Sequence, residues 1–198
     1  MEAGQAVEVC SLAEISEGEG LRALEERVSR LRSLYVTEFV REPEVIVRAP
    51  GRVNIIGEHV DYSGYPVLPM AIGYDALVCM GTGSVASALP VRIVYANGAK
   101  FKEREEEIAA SWLESSSVPF ERNHWTNYLF AAAQGIALPL SRLLPLRIAV
   151  DGTVPIGSGL SSSSSMVCAY TLGLHCLLAG GGPLPDKRGL ASLCAASE

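Results

Sequence analysis

The sequence predicts an α+β fold, a mixed α/β arrangement in which a β-sheet is backed by helices. Three observations predict it. Apolar residues recur at helical spacing in the first segment, short β-type apolar runs recur later, and the two kinds of segment alternate irregularly. The 198 residues suffice for one sizeable domain, and a folded chain of this size buries roughly 70% of its unfolded surface. With 48% hydrophobic and 19% charged residues and a mean hydropathy of +0.24, the composition suits a packed core and not a disordered chain. A formal net charge of −6, from 16 basic and 22 acidic residues, argues against a nucleic-acid binder or a polybasic membrane surface.

In chain order, Leu21, Leu24, Val28, Leu31 and Tyr35 fall at spacings of three and four with Arg and Glu between them, which predicts an amphipathic helix. Val45, Ile46 and Val47 make a short strand, expected to stop at Ala49-Pro50-Gly51. Further strands are predicted near Ala76–Met80 and Val91–Tyr95, the second followed by a turn at Asn97-Gly98. Lys100 to Glu107 is a charge cluster and reads as a solvated face or loop. A helix is predicted over about Thr126 to Ala137, then a strand over Leu146 to Val150, with Asp151-Gly152 opening a loop. A helix without charged residues follows, and a last one begins near Asp186, which is placed to cap it.

No Asp, Glu, Lys or Arg occurs from Gly152 to Pro185, which raises the question of a membrane span. The apolar part runs only from Met166 to about Ala179, short of the roughly 20 residues a bilayer requires, so a buried core helix is expected. The opening Met1-Glu2-Ala3-Gly4-Gln5 is acidic and lacks an apolar segment, unlike a signal peptide. The cysteines, Cys10, Cys79, Cys168, Cys176 and Cys194, are odd in number and show no CxxC spacing. Reduced, mostly buried thiols in a cytoplasmic protein are expected from them.

Two segments carry chemistry. The first is Val154-Pro155-Ile156-Gly157-Ser158-Gly159-Leu160 followed by Ser161 to Ser165, placed between a strand and an apolar helix. A helix N-terminus presents backbone N–H groups without intrahelical partners, together with the positive end of the macrodipole, and so binds phosphate. Glycines allow the anion to approach closely, and serine hydroxyls can donate to phosphate oxygens or ligate Mg²⁺. It is not a Walker A loop, because Gly-Lys-Ser/Thr is absent. A flexible Gly/Ser linker has the same composition, but linkers rarely join two core elements so abruptly, and the anion-binding loop is preferred.

The second is the run from Ala49 to Tyr62, in which Arg52, Asn54, Glu58, His59 and Asp61 crowd a glycine-punctuated stretch. Carboxylates and an imidazole suit a polyol, whose hydroxyls each need a donor and an acceptor, and a guanidinium could stabilise a transferring phosphoryl group. The same residues also suit a solvated loop in which Glu58 or Asp61 pairs with Arg52. A metal site from Glu58, His59 and Asp61 is a third reading, weakened by the lack of a second histidine nearby. Residue chemistry alone leaves the sugar site and the salt-bridged loop open.

Together these segments resemble the GHMP kinase superfamily and, within it, the galactokinases. Gly51-Arg52-Val53-Asn54-Ile55-Ile56-Gly57-Glu58-His59-Val60-Asp61-Tyr62 resembles the galactokinase signature over its full length, and Pro155 to Ser164 resembles the family's phosphate-binding motif. Asp61 to Met70, and Asp151-Gly152 through Val167-Cys168, are more similar to the N-acetylgalactosamine kinase branch. The resemblance covers roughly Glu44 to Glu198. It implies, over 44–198, a GHMP-kinase N-terminal domain with a ribosomal-protein-like mixed sheet backed by helices, which leaves 1–43, with its spaced apolar stripe, as an N-terminal helical leader.

The resemblance implies the following roles. Arg52 lies near the reacting anomeric hydroxyl, and Glu58, His59 and Asp61 bind sugar hydroxyls. Gly157, Ser158, Gly159, Leu160, Ser161, Ser162 and Ser163 wrap the ATP phosphates, with Ser163 and Glu198 on Mg²⁺. Trp125 matches the aromatic on which adenine stacks, although by position alone it reads as a core aromatic at a helix start. The implied activity is ATP-dependent phosphorylation of galactose or N-acetylgalactosamine at C1, in a monomer. In the family, a glycine-rich stretch carrying a catalytic aspartate follows, and a third glycine-rich motif lies in a C-terminal domain. Neither falls within these 198 residues, so an N-terminal fragment inactive alone is expected, the alternative being a non-catalytic ATP- or sugar-binding paralogue.

Overall fold

A computed structural model describes residues 11–57, 60, 63–83, 91–96, 105–108, 125–136, 143–180 and 186–197. A short helix α1 (Leu12–Ile15) leads into α2 (Gly18–Phe39), which contains the predicted three-and-four stripe and buries Leu24, Leu31 and Tyr35. The sheet has five strands, β1 (Val45–Ile56), β2 (Leu68–Thr82), β3 (Val91–Tyr95), β4 (Glu105–Ile108) and β5 (Leu146–Gly152), in the order β1-β2-β5-β3-β4. All neighbours are antiparallel except β3 and β5, which run parallel; the chain between them contains β4 and then helix α3 (Asn127–Gly135). Helices α4 (Ser162–Ala179) and α5 (Lys187–Ser197) complete the described elements.

Alternation along the strands sends side chains into two cores. Ala76, Val78 and Met80 of β2, Ile93 and Tyr95 of β3, and Leu146, Ile148 and Val150 of β5 face α3 and α4. The intervening Leu77, Cys79, Val94 and Ala149 face α2. Coverage on both faces explains why the central strands read as nearly continuous apolar runs. The charge-free segment is a core helix: Met166, Val167, Ala169, Tyr170 and Leu174 of α4 are buried. Among the described residues no helix is long and apolar enough to cross a membrane.

Several local expectations change. Pro50 and Gly51 do not stop β1, which continues to Ile56 with a register shift between Pro50 and Arg52. β1 is an edge strand, where a proline's missing N–H costs no ladder bond, and the irregularity absorbs the glycine. Arg52 and Asn54 therefore lie on a strand and not on a loop. Asp151 and Gly152 belong to β5, paired with Leu77 and Ala76. Glu105–Ile108, the end of the charge cluster, pairs with β3 as the opposite edge, and a charged edge strand resists further pairing. The Asn97-Gly98 turn lies outside the described residues. Asp186 does cap α5: the Gly189 N–H donates to its Oδ1 at 2.7 Å. The four described cysteines are free, with Cys79 and Cys194 buried, and burial pushes the Cys79 thiol up to about 12.

Candidate functional site

Beyond the end of β5 the chain is fastened to β2. Thr153 N–H donates to the Asp75 carbonyl at 2.9 Å, and Asp75 N–H donates to Thr153 Oγ1 at 3.0 Å. Val154 is buried, and the chain then turns through Gly157 and Gly159, both at φ +71°, with nothing within 4 Å of where a side chain would start. The loop is thus open to a ligand and uses the left-handed region that glycine favours. Ser158 Oγ donates to the Pro155 carbonyl at 2.7 Å, which holds the turn closed on itself.

At the start of α4, Ser161 sits in the left-handed region (φ 60°, ψ 48°) and makes no side-chain cap bond. Its carbonyl accepts the first helical bond, from Ser165 N–H at 3.0 Å. Ser162 and Ser163 begin the first turn, where the helix dipole favours an anion and N–H groups lack i−4 carbonyls.

The two sequence segments meet at backbone level. Arg52 N–H donates to the Leu160 carbonyl at 3.1 Å, and a Cβ on Gly51 would lie 2.9 Å from that same oxygen. Half-buried Arg52 is therefore held beside the last turn of the glycine loop, although more than a hundred residues separate them in sequence. Asn54 Nδ2 donates to the Gly57 carbonyl at 3.2 Å, shaping the exit from β1 towards the acidic run. Glu58, His59 and Asp61 lie outside the described residues, as does Glu198. Among the described residues, no group of three or more His, Cys, Asp or Glu could hold a metal ion.

Beside the α4 N-terminus opens a cleft of about 150 Å³, lined in part by Tyr95, Trp125, Tyr128, Ile156, Ser162 and Met166. Tyr95 and Trp125 pack edge to face, with centroids 5.5 Å apart. Trp125 thus serves both readings, since it belongs to the core and also lines the cleft. Burial, reinforced by the nearby Asp151 charge, pushes the Tyr95 hydroxyl up to about 12, so it remains a neutral donor near pH 7. Tyr95, Tyr128 and Met166 were not site candidates from the sequence. Each sits in an apolar pattern that reads as core, and only the packing of β3, α3 and α4 brings them to one opening.

Two buried carboxylates were missed as well. Asp75, in the middle of β2, and Asp151, next to the end of β5, are 1% and 4% exposed. In the sequence neither is distinguishable from a surface aspartate.

Comparison with known proteins connects these segments. The galactokinase galactose-binding signature matches residues 33–82, and the GHMP kinases N terminal domain matches residues 127–198. The chain is 38% identical to a Dictyostelium discoideum galactokinase over 136 residues, covering 67% of this chain and 26% of that one. It is 30% identical to the Saccharomyces cerevisiae galactokinase over 190 residues, covering 89% and 35% respectively. The chain therefore spans about a third or less of the relatives it matches. Among solved structures, the Lactococcus lactis galactokinase complexed with galactose superposes with a TM-score of 0.61 at 22% identity, covering 86% of this chain and 42% of that one. A mevalonate kinase from Methanococcus jannaschii gives 0.58 at 16% identity, covering 78% and 45%. At these identities the likeness is one of fold.

Proposed function

Because the chain belongs to the galactokinase family of GHMP kinases, we propose that it binds MgATP and a galactose-type sugar, and that its fold serves transfer of the γ-phosphoryl group to the sugar C1 hydroxyl. The observation that supports this reading is the Arg52 N–H to Leu160 carbonyl bond, which sets Arg52 of β1 beside the glycine loop. In that transfer the C1 oxygen forms a bond to phosphorus, the bond from phosphorus to the β,γ-bridging oxygen breaks, and ADP leaves. Charge stabilisation and positioning do most of the catalytic work in such reactions.

The residues divide the task by their chemistry. The open glycine turn and the α4 N-terminus, from Gly157 to Ser163, suit the phosphates, because nothing occupies the space above Gly157 and Gly159 and no side chain caps the helix at Ser161. The aromatic cleft suits adenine, with Trp125 as its stacking surface. Arg52, fixed through its backbone, suits the phosphoryl charge near the anomeric oxygen. Glu58, His59 and Asp61 are the proposed partners of the sugar hydroxyls. Bound Mg²⁺ would neutralise phosphate charge, with Ser163 and Glu198 as its protein ligands. The acceptor of the C1 hydroxyl proton is proposed to lie outside residues 1–198, so this chain alone binds without turnover. Residues 44–198 are proposed as the GHMP-kinase N-terminal domain and 1–43 as its helical leader.

Calorimetric titration with galactose, N-acetylgalactosamine and MgATP tests the reading. Heats at millimolar ligand are expected for MgATP and for one of the two sugars, and no heat for any of them would overturn it. Phosphorylation by the isolated chain that disappears in Arg52→Ala would show that the proton acceptor lies within these residues.

A further inference from the structure

The glycine loop is fastened at two points. At its end, the Leu160 carbonyl accepts from Arg52 N–H. At its start, Thr153 is bonded to Asp75 through both its backbone N–H and its hydroxyl oxygen. Between these points Val154 is buried, Ser158 Oγ closes the turn on the Pro155 carbonyl, and the space where side chains would start on Gly157 and Gly159 is open, so the two anchors set where the turn begins and ends.

The starting anchor rests on a buried charge cluster. Asp75 Oδ2 accepts from Arg48 Nε of β1 at 2.6 Å, and Asp75 Oδ1 accepts from Arg27 Nη1 of α2 at 2.7 Å. The same guanidinium reaches across to β5, where Arg27 Nε donates to Asp151 Oδ2 at 3.0 Å. The next cation, Arg30, is 3.8 Å from Asp151 and largely exposed. Arg27 is therefore the group that bridges the two carboxylates, a geometry that a planar fork of donors satisfies and a point charge does not. Burial opposes its charge, but the hydrogen bonds and charges of Asp75 and Asp151 outweigh it and hold its pKa above the ordinary value. Arg27 also lies outside both matched segments, 33–82 and 127–198.

We propose that Arg27 of α2 is a positioning residue for the anion-binding loop: by bridging Asp75 in the middle of β2 and Asp151 near the end of β5, it holds the residue to which Thr153 is bonded against the strand end from which the glycine turn departs. Helix α2, whose first part precedes the matched segments, is then part of the site's support as well as a cover for the sheet. The proposal rests on the functional reading above only for the identity of the anion; the fastening itself is independent of it.

The test is amide hydrogen exchange by NMR on the whole chain, without nucleotide, in Arg27→Ala, Arg27→Lys, Asp151→Asn and the helix-docking control Leu24→Ala. The reporters are Thr153 and Arg52, the amides that hold the loop, with Val78 in the central strand as the reference. In the Arg27 and Asp151 variants, exchange at Thr153 and Arg52 is expected to rise about tenfold relative to Val78, a local opening, whereas Leu24→Ala should move all three together. If Arg27→Ala does not fold, Arg27→Lys and Asp151→Asn decide, since each keeps polarity and most of the volume. Exchange that changes only in step with Val78 in every folded variant overturns the proposal. MgATP titration of the same proteins separates the two claims. Affinity weakened about tenfold in Arg27→Lys supports positioning, because a loop no longer preorganised binds less tightly, and unchanged affinity overturns it. If the unmodified chain binds no MgATP, the functional reading fails, and exchange alone decides the role of Arg27.

Discussion

At Gly51 a single added Cβ would lie 2.9 Å from the Leu160 carbonyl, 3.1 Å from Val154 Cγ2 and 3.2 Å from Ile72 Cδ1. The nearest of these atoms is backbone, so relief requires the glycine loop itself to move. Gly51→Ala is expected to destabilise the chain by about 1–3 kcal/mol, as overpacking does, and to weaken MgATP binding in the same variant. Urea denaturation and calorimetry check the two effects separately, and a stable variant with unchanged affinity would show that the loop tolerates displacement. The residue scale is also where sequence reading had least to work with. Gly51 was visible as part of a motif, but the reason for its small size lies in a carbonyl over a hundred positions away. Asp75 likewise looks like any exposed aspartate until the strand pairing buries it between two arginines.

At the scale of elements, periodicity was a good guide wherever one face of a segment meets a core. The three-and-four stripe located α2, and Leu31, 1% exposed, is buried with Leu24 and Tyr35 against the sheet. Leu31→Ala is expected to cost about 2–5 kcal/mol, read as a lowered denaturation midpoint with little change in slope. The Asp186 cap of α5 is a smaller matter. Its bond to Gly189 N–H is exposed, and Asp186→Ala should cost about 1 kcal/mol. A thermal melt unchanged within error would mean that α5 is held by its packing alone. Pattern reading fell short at the sheet edges: Pro50 reads as a stop within β1, and the charge cluster that ends in β4 reads as a solvated face or loop. Those residue types disfavour central strands only, and edge position is a property of strand order, which local pattern does not encode.

For the molecule as a whole, His175 links stability to pH. Its Nε2 is buried with no hydrogen-bond partner, and burial holds its pKa below the ordinary 6.5. The unfolded chain therefore takes up a proton near pH 6.5 while the folded chain still resists it. Stability from this group is full above pH 6.5 and is lost as pH falls from there through the folded value. The melting temperature should drop over that interval, and His175→Gln should flatten the drop. Parallel curves for the two proteins would assign the pH dependence to other groups.

The sequence by itself determined the kinds of element, the central apolar strands, the core helix α4 and the two motif segments, because each is set by local spacing, within about fifteen residues. The tertiary structure alone decided that Arg52 sits against Leu160, that β1 passes through Pro50, that Tyr95, Trp125 and Tyr128 share one cleft, and that Arg27 bridges Asp75 and Asp151. These depend on the order β1-β2-β5-β3-β4, in which segments distant in sequence become neighbours. A charge or an aromatic reads the same in sequence whether it faces water or a partner, and only burial, which follows from strand order and helix packing, determines what it does.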